Sequence, residues 1–208
     1  GSLAVNWLFA RWHIGGKGTG WARGYLVPLG IVLNILIIGV FKYADFFADS
    51  VAWLNGDARQ SWSIILPLGI SFFTFQQVSY LVDLQRGTAP AYKFRDYALY
   101  VSFFPQLIAG PIVRHNEFIY QLKESPLRVG VAERLSRGLV LLLIGLLKKV
   151  FIADRLAALA DPVFADAAAG RVISSADAWL ADFAFGLQIY FDFSGYSDMA
   201  IGLALMFG

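Results

Sequence analysis

Gly24 to Phe41 reads GYLVPLGIVLNILIIGVF, an 18-residue run without a charge. A helix needs about 20 mostly apolar residues to cross the hydrocarbon core. Lys42-Tyr43 follow the run as a snorkelling and interfacial pair. The stretch is a transmembrane span near 24–43, and it sets the class: an all-α, polytopic integral membrane protein. Working outward, Ser61 to Val82 (SWSIILPLGISFFTFQQVSYLV) is equally free of charge and predicts a second span near 61–84, with Pro67 and Gly69 as kink points. Leu3 to Phe9 reads as the tail of another span.

The whole chain agrees with that class. Of its 208 residues, 58% are hydrophobic, 16% are aromatic and only 15% are charged, against about 25% charged in a soluble domain. Mean hydropathy is +0.59. The supply of charge is too thin to coat a soluble enzyme. The net charge of +2 is too small for an electrostatic footprint on nucleic acid. With no cysteine, disulfides and Cys-ligated metals drop out.

The middle is less regular. Tyr97 to Val113 (YALYVSFFPQLIAGPIV) is apolar but interrupted by Pro105 and by Gly110-Pro111. Proline removes a donor and clashes with the preceding turn. Irregular backbone at membrane depth persists only where protein or a water-filled cavity covers it. Residues 97–113 therefore read as a broken, re-entrant or interfacial element. A long helix near 135–160 carries Lys148-Lys149 partway along, and a last apolar stretch near 183–208 holds Asp192 and Asp198. Arg11, Lys17 and Arg23 precede the 24–43 span with no acid among them, which puts that loop in the cytoplasm. Residues 83–96 and 114–137 fall on the same side, and the acidic stretch 161–182 on the outer face. The chain starts at Gly1 rather than Met and ends inside an apolar run; it reads as a fragment forming one partial domain.

Two clusters could carry chemistry. In Tyr190-Phe-Asp-Phe-Ser-Gly-Tyr-Ser-Asp198, ionisable side chains lie within an apolar segment, a costly arrangement that marks functional sites. Six residues separate the acids, so they do not share a helical face. Tyr190, Asp192, Ser194, Tyr196, Ser197 and Asp198 would suit a hydroxylated substrate, with Gly195 as a break or a close helix contact. The alternative is a helix end capped by acids, with small residues packing helices. The second cluster is Gln106 and Arg114 on the element broken by Pro105, Gly110 and Pro111; the alternative there is a kinked helix ending in a snorkelling arginine. His13 and His115 have no sequence neighbour that completes a metal or triad pattern, and His115 reads as interfacial. Lys148-Lys149 reads as a membrane-surface pair or as a hold on an anionic donor.

Five strings carry a resemblance: GIVLNILIIGVFKYADFF (30–47), LPLGISFFTFQQVSYLVDLQRG (66–87), FFPQLIAGPIVR (103–114), GLLKKVFIADRLA (145–157) and LQIYFDFSGYSDMAIGLALMFG (187–208). In this order they resemble the membrane-bound O-acyltransferase (MBOAT) family, in particular its bacterial alginate O-acetyltransferase branch. The resemblance implies a multi-pass inner-membrane enzyme, a ring of helices around a thinned centre. It implies acetyl transfer from cytoplasmic acetyl-CoA, with no bound cofactor or metal, to a periplasmic partner protein or an exopolysaccharide. It assigns Pro105, Gln106, Gly110, Pro111 and Arg114, and Tyr190, Asp192, Ser194, Gly195, Tyr196, Ser197 and Asp198, to the channel wall and its support. The family's Arg-Trp-His and Trp-His-Gly motifs lie downstream of FSGYSDMAIG. The Arg-Trp-His at 11–13 precedes the first string and is not that motif. No catalytic histidine is carried over, and the 208 residues alone are expected to be inactive. D-alanyl transfer to teichoic acid, a transporter or flippase segment, and a docking scaffold are the competing expectations.

Overall fold

The computed structural model describes residues 1–15, 20–55, 65–107, 110 and 113–208. Every regular element among them is helical: α1 (Ser2–Gly15), α2 (Gly20–Asn55), α3 (Ile70–Gln85), α4 (Phe94–Ser102), α5 (His115–Ile119), α6 (Val131–Leu147), α7 (Asp154–Ala168) and α8 (Ser175–Phe207). They fall into two units. One is built within 1–108 and 112–123, the other within 109–111 and 124–208.

In the first unit, α2 runs well past the expected stop at Lys42-Tyr43. Phe46, Phe47, Val51, Trp53 and Leu54 keep its outer surface apolar and exposed, and neither glycine nor proline intervenes before Asn55. By length and composition, Gly24–Asn55 is the one helix among the described residues able to cross a membrane. Its 32 residues reach about 48 Å at 1.5 Å per residue, more than the roughly 30 Å hydrocarbon core.

The second expected span is shorter as a helix. Pro67 and Gly69 do not kink α3; they precede it. Gly69 takes the left-handed conformation with φ 70°, and a Cβ there would collide with the Leu107 carbonyl. The Ile70 amide donates to the Pro67 carbonyl, which starts the helix. At 16 residues α3 reaches about 24 Å. Residues 61–64 of the expected span lie outside the described residues.

Three buried amides set the register of this unit. Asn6 and Asn34 exchange side-chain hydrogen bonds of 3.0 and 2.7 Å, and Asn6 Nδ2 also donates to Gln77 Oε1 at 2.7 Å. One turn along, Gly30 leaves space that Phe9 and Leu81 fill. Amide donors with no water nearby must find protein partners, so α1, α2 and α3 lock at these two levels. It follows that α1 and α3 finish at the same end of the unit, beside the start of α2. Val27, Tyr80, Leu81, Leu84, Tyr97 and Tyr100 fill the core at that end.

The expected break in 97–113 begins at Phe103, whose extended backbone (φ −64°, ψ 102°) ends α4. Pro105 then sits at the start of a single 3₁₀ turn, Phe104–Gln106, a position where its missing N–H costs nothing. Gly110 is buried, and Pro111 lies outside the described residues.

In the second unit, helix is continuous from Val131 to Ala168, with a π turn over Lys148–Ala153 between α6 and α7. It packs along α8. Close approach is made by two glycine pairs. A Cβ on Gly138 would stand 2.5 Å from the Gly202 carbonyl oxygen, and one on Gly195 would stand 2.7 Å from the Gly145 carbonyl oxygen. Since 138 meets 202 and 145 meets 195, the helices run antiparallel. The break considered at Gly195 is absent, because α8 passes through it unbroken; the residue is a helix contact. Ser174 starts α8, its Oγ accepting from the Asp177 amide at 3.1 Å.

Candidate functional site

The glycine contact decides where the charges go. With Gly145 and Gly195 touching, the Lys148 Cβ position falls against α8, 3.3 Å from where a Cβ on Gly195 would be. Lys148 Nζ then donates to Asp198 Oδ2 at 2.6 Å and to Ser194 Oγ at 3.0 Å. Asp192 and Asp198 are six positions apart, about 120° around α8, so one cation cannot serve both. The adjacent Lys149 takes the other, with Nζ 2.9 Å from Asp192 Oδ1 and 2.8 Å from Asp154 Oδ1. Both lysines lie at the start of the π turn, the widened helical geometry that recurs at functional sites. The Lys148–Asp198 side chains are 30% and 24% exposed, the Lys149–Asp192 pair 40% and 49%.

The structure thus brings Asp192, Ser194 and Asp198 together with Lys148 and Lys149. The two lysines are counter-ions to the acids. Sequence reasoning noticed both halves without joining them. The available signal was charge balance: two bases in one apolar helix, two acids in another. Tyr190 is exposed and packs edge-on against Phe191. Tyr196 and Ser197 are half-buried on α8.

Gln106 and Arg114 belong to the first unit and act on its backbone. Buried Gln106 donates from Nε2 to the Tyr100 carbonyl at 2.8 Å, satisfying one of the carbonyls left open where α4 ends. Tyr100 in turn donates to the Val113 carbonyl at 3.1 Å. Arg114 is the exposed residue before α5, and its amide meets Glu117 Oε2 at 3.4 Å.

His115 departs from expectation. It is buried rather than interfacial, and both ring nitrogens are engaged. Nε2 lies 3.1 Å from Asp83 Oδ2 and Nδ1 lies 2.9 Å from the Tyr92 hydroxyl. With Asp83 ionised, Nε2–H donates to the carboxylate, and Nδ1 is free to accept the Tyr92 proton. The partners are 32 and 23 residues away, so local spacing could not reveal them. Burial, and then the Asp83 charge, push the Tyr92 hydroxyl above its ordinary range. The trio ties the end of α3, the 86–93 connection and the start of α5 into one joint. Among the described residues, no group of three or more His, Cys, Asp and Glu side chains is placed to hold a metal ion.

The profile of the MBOAT, membrane-bound O-acyltransferase family, matches residues 28–208. The chain is 42% identical over 164 residues to the probable alginate O-acetylase AlgI of Pseudomonas aeruginosa, covering 76% of this chain and 31% of that protein. It is 38% identical over 194 residues to the peptidoglycan O-acetyltransferase of Helicobacter pylori, covering 81% and 37%. A teichoic acid D-alanyltransferase of Lacticaseibacillus rhamnosus is more distant, 24% identical over 124 residues, covering 60% and 28%. The chain spans about a third of the length of the first two relatives.

Proposed function

Because this chain belongs to the membrane-bound O-acyltransferase family, matched over residues 28–208, we propose that it is part of an enzyme that O-acetylates an exopolysaccharide such as alginate. The observation that carries this reading is the similarity, at 42% and 38% identity, to two proteins named for O-acetyl transfer. D-alanyl transfer rests on a relative at 24% and is the weaker alternative. The peptidoglycan relative makes that polymer a second acceptor to test.

The reaction joins a polysaccharide hydroxyl to an acetyl group. The hydroxyl oxygen attacks the thioester carbonyl of acetyl-CoA, a general base takes the hydroxyl proton, and the thiolate leaves. Donors aimed at the carbonyl oxygen stabilise the charge that develops on it. In this reading the donor is cytoplasmic, the acceptor or its carrier protein is periplasmic, and a multi-pass inner-membrane channel joins them. Asp192, Ser194, Tyr196, Ser197 and Asp198 line the channel from α8. Lys148 and Lys149 pair with the acids and hold them oriented.

The full-length protein restored to a strain lacking O-acetylation should return acetyl esters to the exopolysaccharide. The Asp192→Asn, Asp198→Asn double variant should insert normally and return few or none. Restored acetylation by the double variant would remove α8 from the site. D-alanyl esters in place of acetyl would transfer the reading to the alternative, and acetyl esters confined to peptidoglycan would change the acceptor.

A further inference from the structure

The first unit gathers exposed bases at one end. Arg11, near the end of α1, lays its guanidinium over the Trp7 ring at 5.4 Å. The Trp7 indole N–H donates to the Tyr92 carbonyl at 3.0 Å, and its ring meets Phe94 edge-on at 5.3 Å. Lys93 and Arg95 flank Phe94 in sequence. Tyr92 is bonded to His115, next to Arg114. Arg11, Lys93, Arg95 and Arg114 are all exposed. Among the described residues, Arg11, Lys93 and Arg114 form no ion pair, and Arg95 has only a 3.7 Å contact to its neighbour Asp96, of a kind worth little in water. The nearby acids are otherwise committed: Asp83 to His115, and Glu117 to the Arg114 amide.

From this arrangement we propose that the basic, aromatic end of the first unit binds anionic phospholipid headgroups. The bases alone would suit any phosphate. What favours a lipid is their setting. They surround the exposed Phe94 ring and Trp7, the latter an aromatic type that settles at headgroup depth. They also lie at the end of the unit where the membrane-length helix α2 begins. Clustered bases beside a span attract anionic headgroups. A headgroup phosphate would sit between Arg11 and Lys93, with its acyl chains along the exposed apolar side chains of α1, such as Leu8 and Val5.

The test uses the full-length protein in nanodiscs of phosphatidylcholine doped with phosphatidylglycerol, with retained lipid read by native mass spectrometry. The unaltered protein should retain phosphatidylglycerol in preference, and the preference should fall as salt rises. Each base near a membrane surface is worth about fivefold, so Arg11→Gln with Lys93→Gln should lower retention by tenfold or more. Arg137→Gln, at an exposed base of the other unit, should leave it unchanged. Equal retention of the two lipids overturns the proposal, as does an equal loss with Arg137→Gln. Full displacement by inorganic pyrophosphate also overturns it, assigning the surface to a soluble polyphosphate.

Discussion

Lys148–Asp198 and Lys149–Asp192 look alike in sequence but differ in how much water reaches them. The first pair is under a third exposed and carries the Ser194 hydroxyl as a third member. The second is close to half exposed and shares its lysine with Asp154. Coupling strengthens as solvent is excluded. A double-mutant cycle on Lys148→Gln and Asp198→Asn should give a coupling of about 1–3 kcal/mol. The same cycle on Lys149 and Asp192 should stay below about 1 kcal/mol. Equal couplings would mean that burial does not rank the pairs. His115 supplies a second residue-scale expectation. The raised Tyr92 pKa means that folding favours the neutral hydroxyl. Its contribution is therefore complete below the ordinary tyrosine value of about 10 and is lost as pH climbs through the raised one. Tyr92→Phe should cost about 1 kcal/mol near neutrality and should flatten the alkaline fall in thermal stability. An unchanged alkaline fall would place that titration elsewhere.

At the scale of the helix, the glycines of α8 separate two opposing effects. Replacing a mid-helix glycine by alanine gains about 1 kcal/mol of helix propensity. At Gly186 a Cβ would meet nothing within 4 Å, so the gain should be realised. At Gly202 the Cβ would lie 2.5 Å from the Gly138 carbonyl oxygen and 2.8 Å from the Leu142 amide nitrogen. Backbone cannot rotate away as a side chain can, so the helices must separate, at a cost of about 1–3 kcal/mol. Overpacking wins there. Gly186→Ala should raise the melting temperature of the 208-residue chain in detergent, and Gly202→Ala and Gly195→Ala should lower it. A stabilised Gly202→Ala would show that α6 and α8 pack less closely than this. The same contact explains why Gly195 invited two readings in the sequence. A glycine between serines and acids suggests a turn, and only a partner glycine at the matching antiparallel position turns it into a contact.

Across the whole molecule, what could be read from the sequence was whatever one segment decides alone. Apolar length gave α2, Pro105 gave the break after α4, and the cost of burying charge drew attention to Asp192 and Asp198. What needed two segments in register stayed hidden: Lys148 against Asp198, and His115 against Asp83 and Tyr92. The helix α2 continues past the span read near 24–43, since Lys42 can close a span without closing a helix. Register also bears on sidedness in the first unit. Asn6, Asn34 and Gln77 share one level and Phe9, Gly30 and Leu81 the next, so α1 and α3 must end on the same face while α2 runs away from it to Asn55. The bases at that face predict that it is cytoplasmic. These 208 residues hold no cysteine, so in a full-length background with any remaining cysteines replaced, an introduced thiol is the target of a membrane-impermeant maleimide. In the full-length protein, Arg11→Cys and Lys93→Cys should react only after the cytoplasmic side is opened, and Asn55→Cys should react from the outside of intact cells. Labelling of positions 11 and 93 from opposite sides would break the shared register of α1 and α3. Labelling of both from outside would preserve the register and invert the orientation.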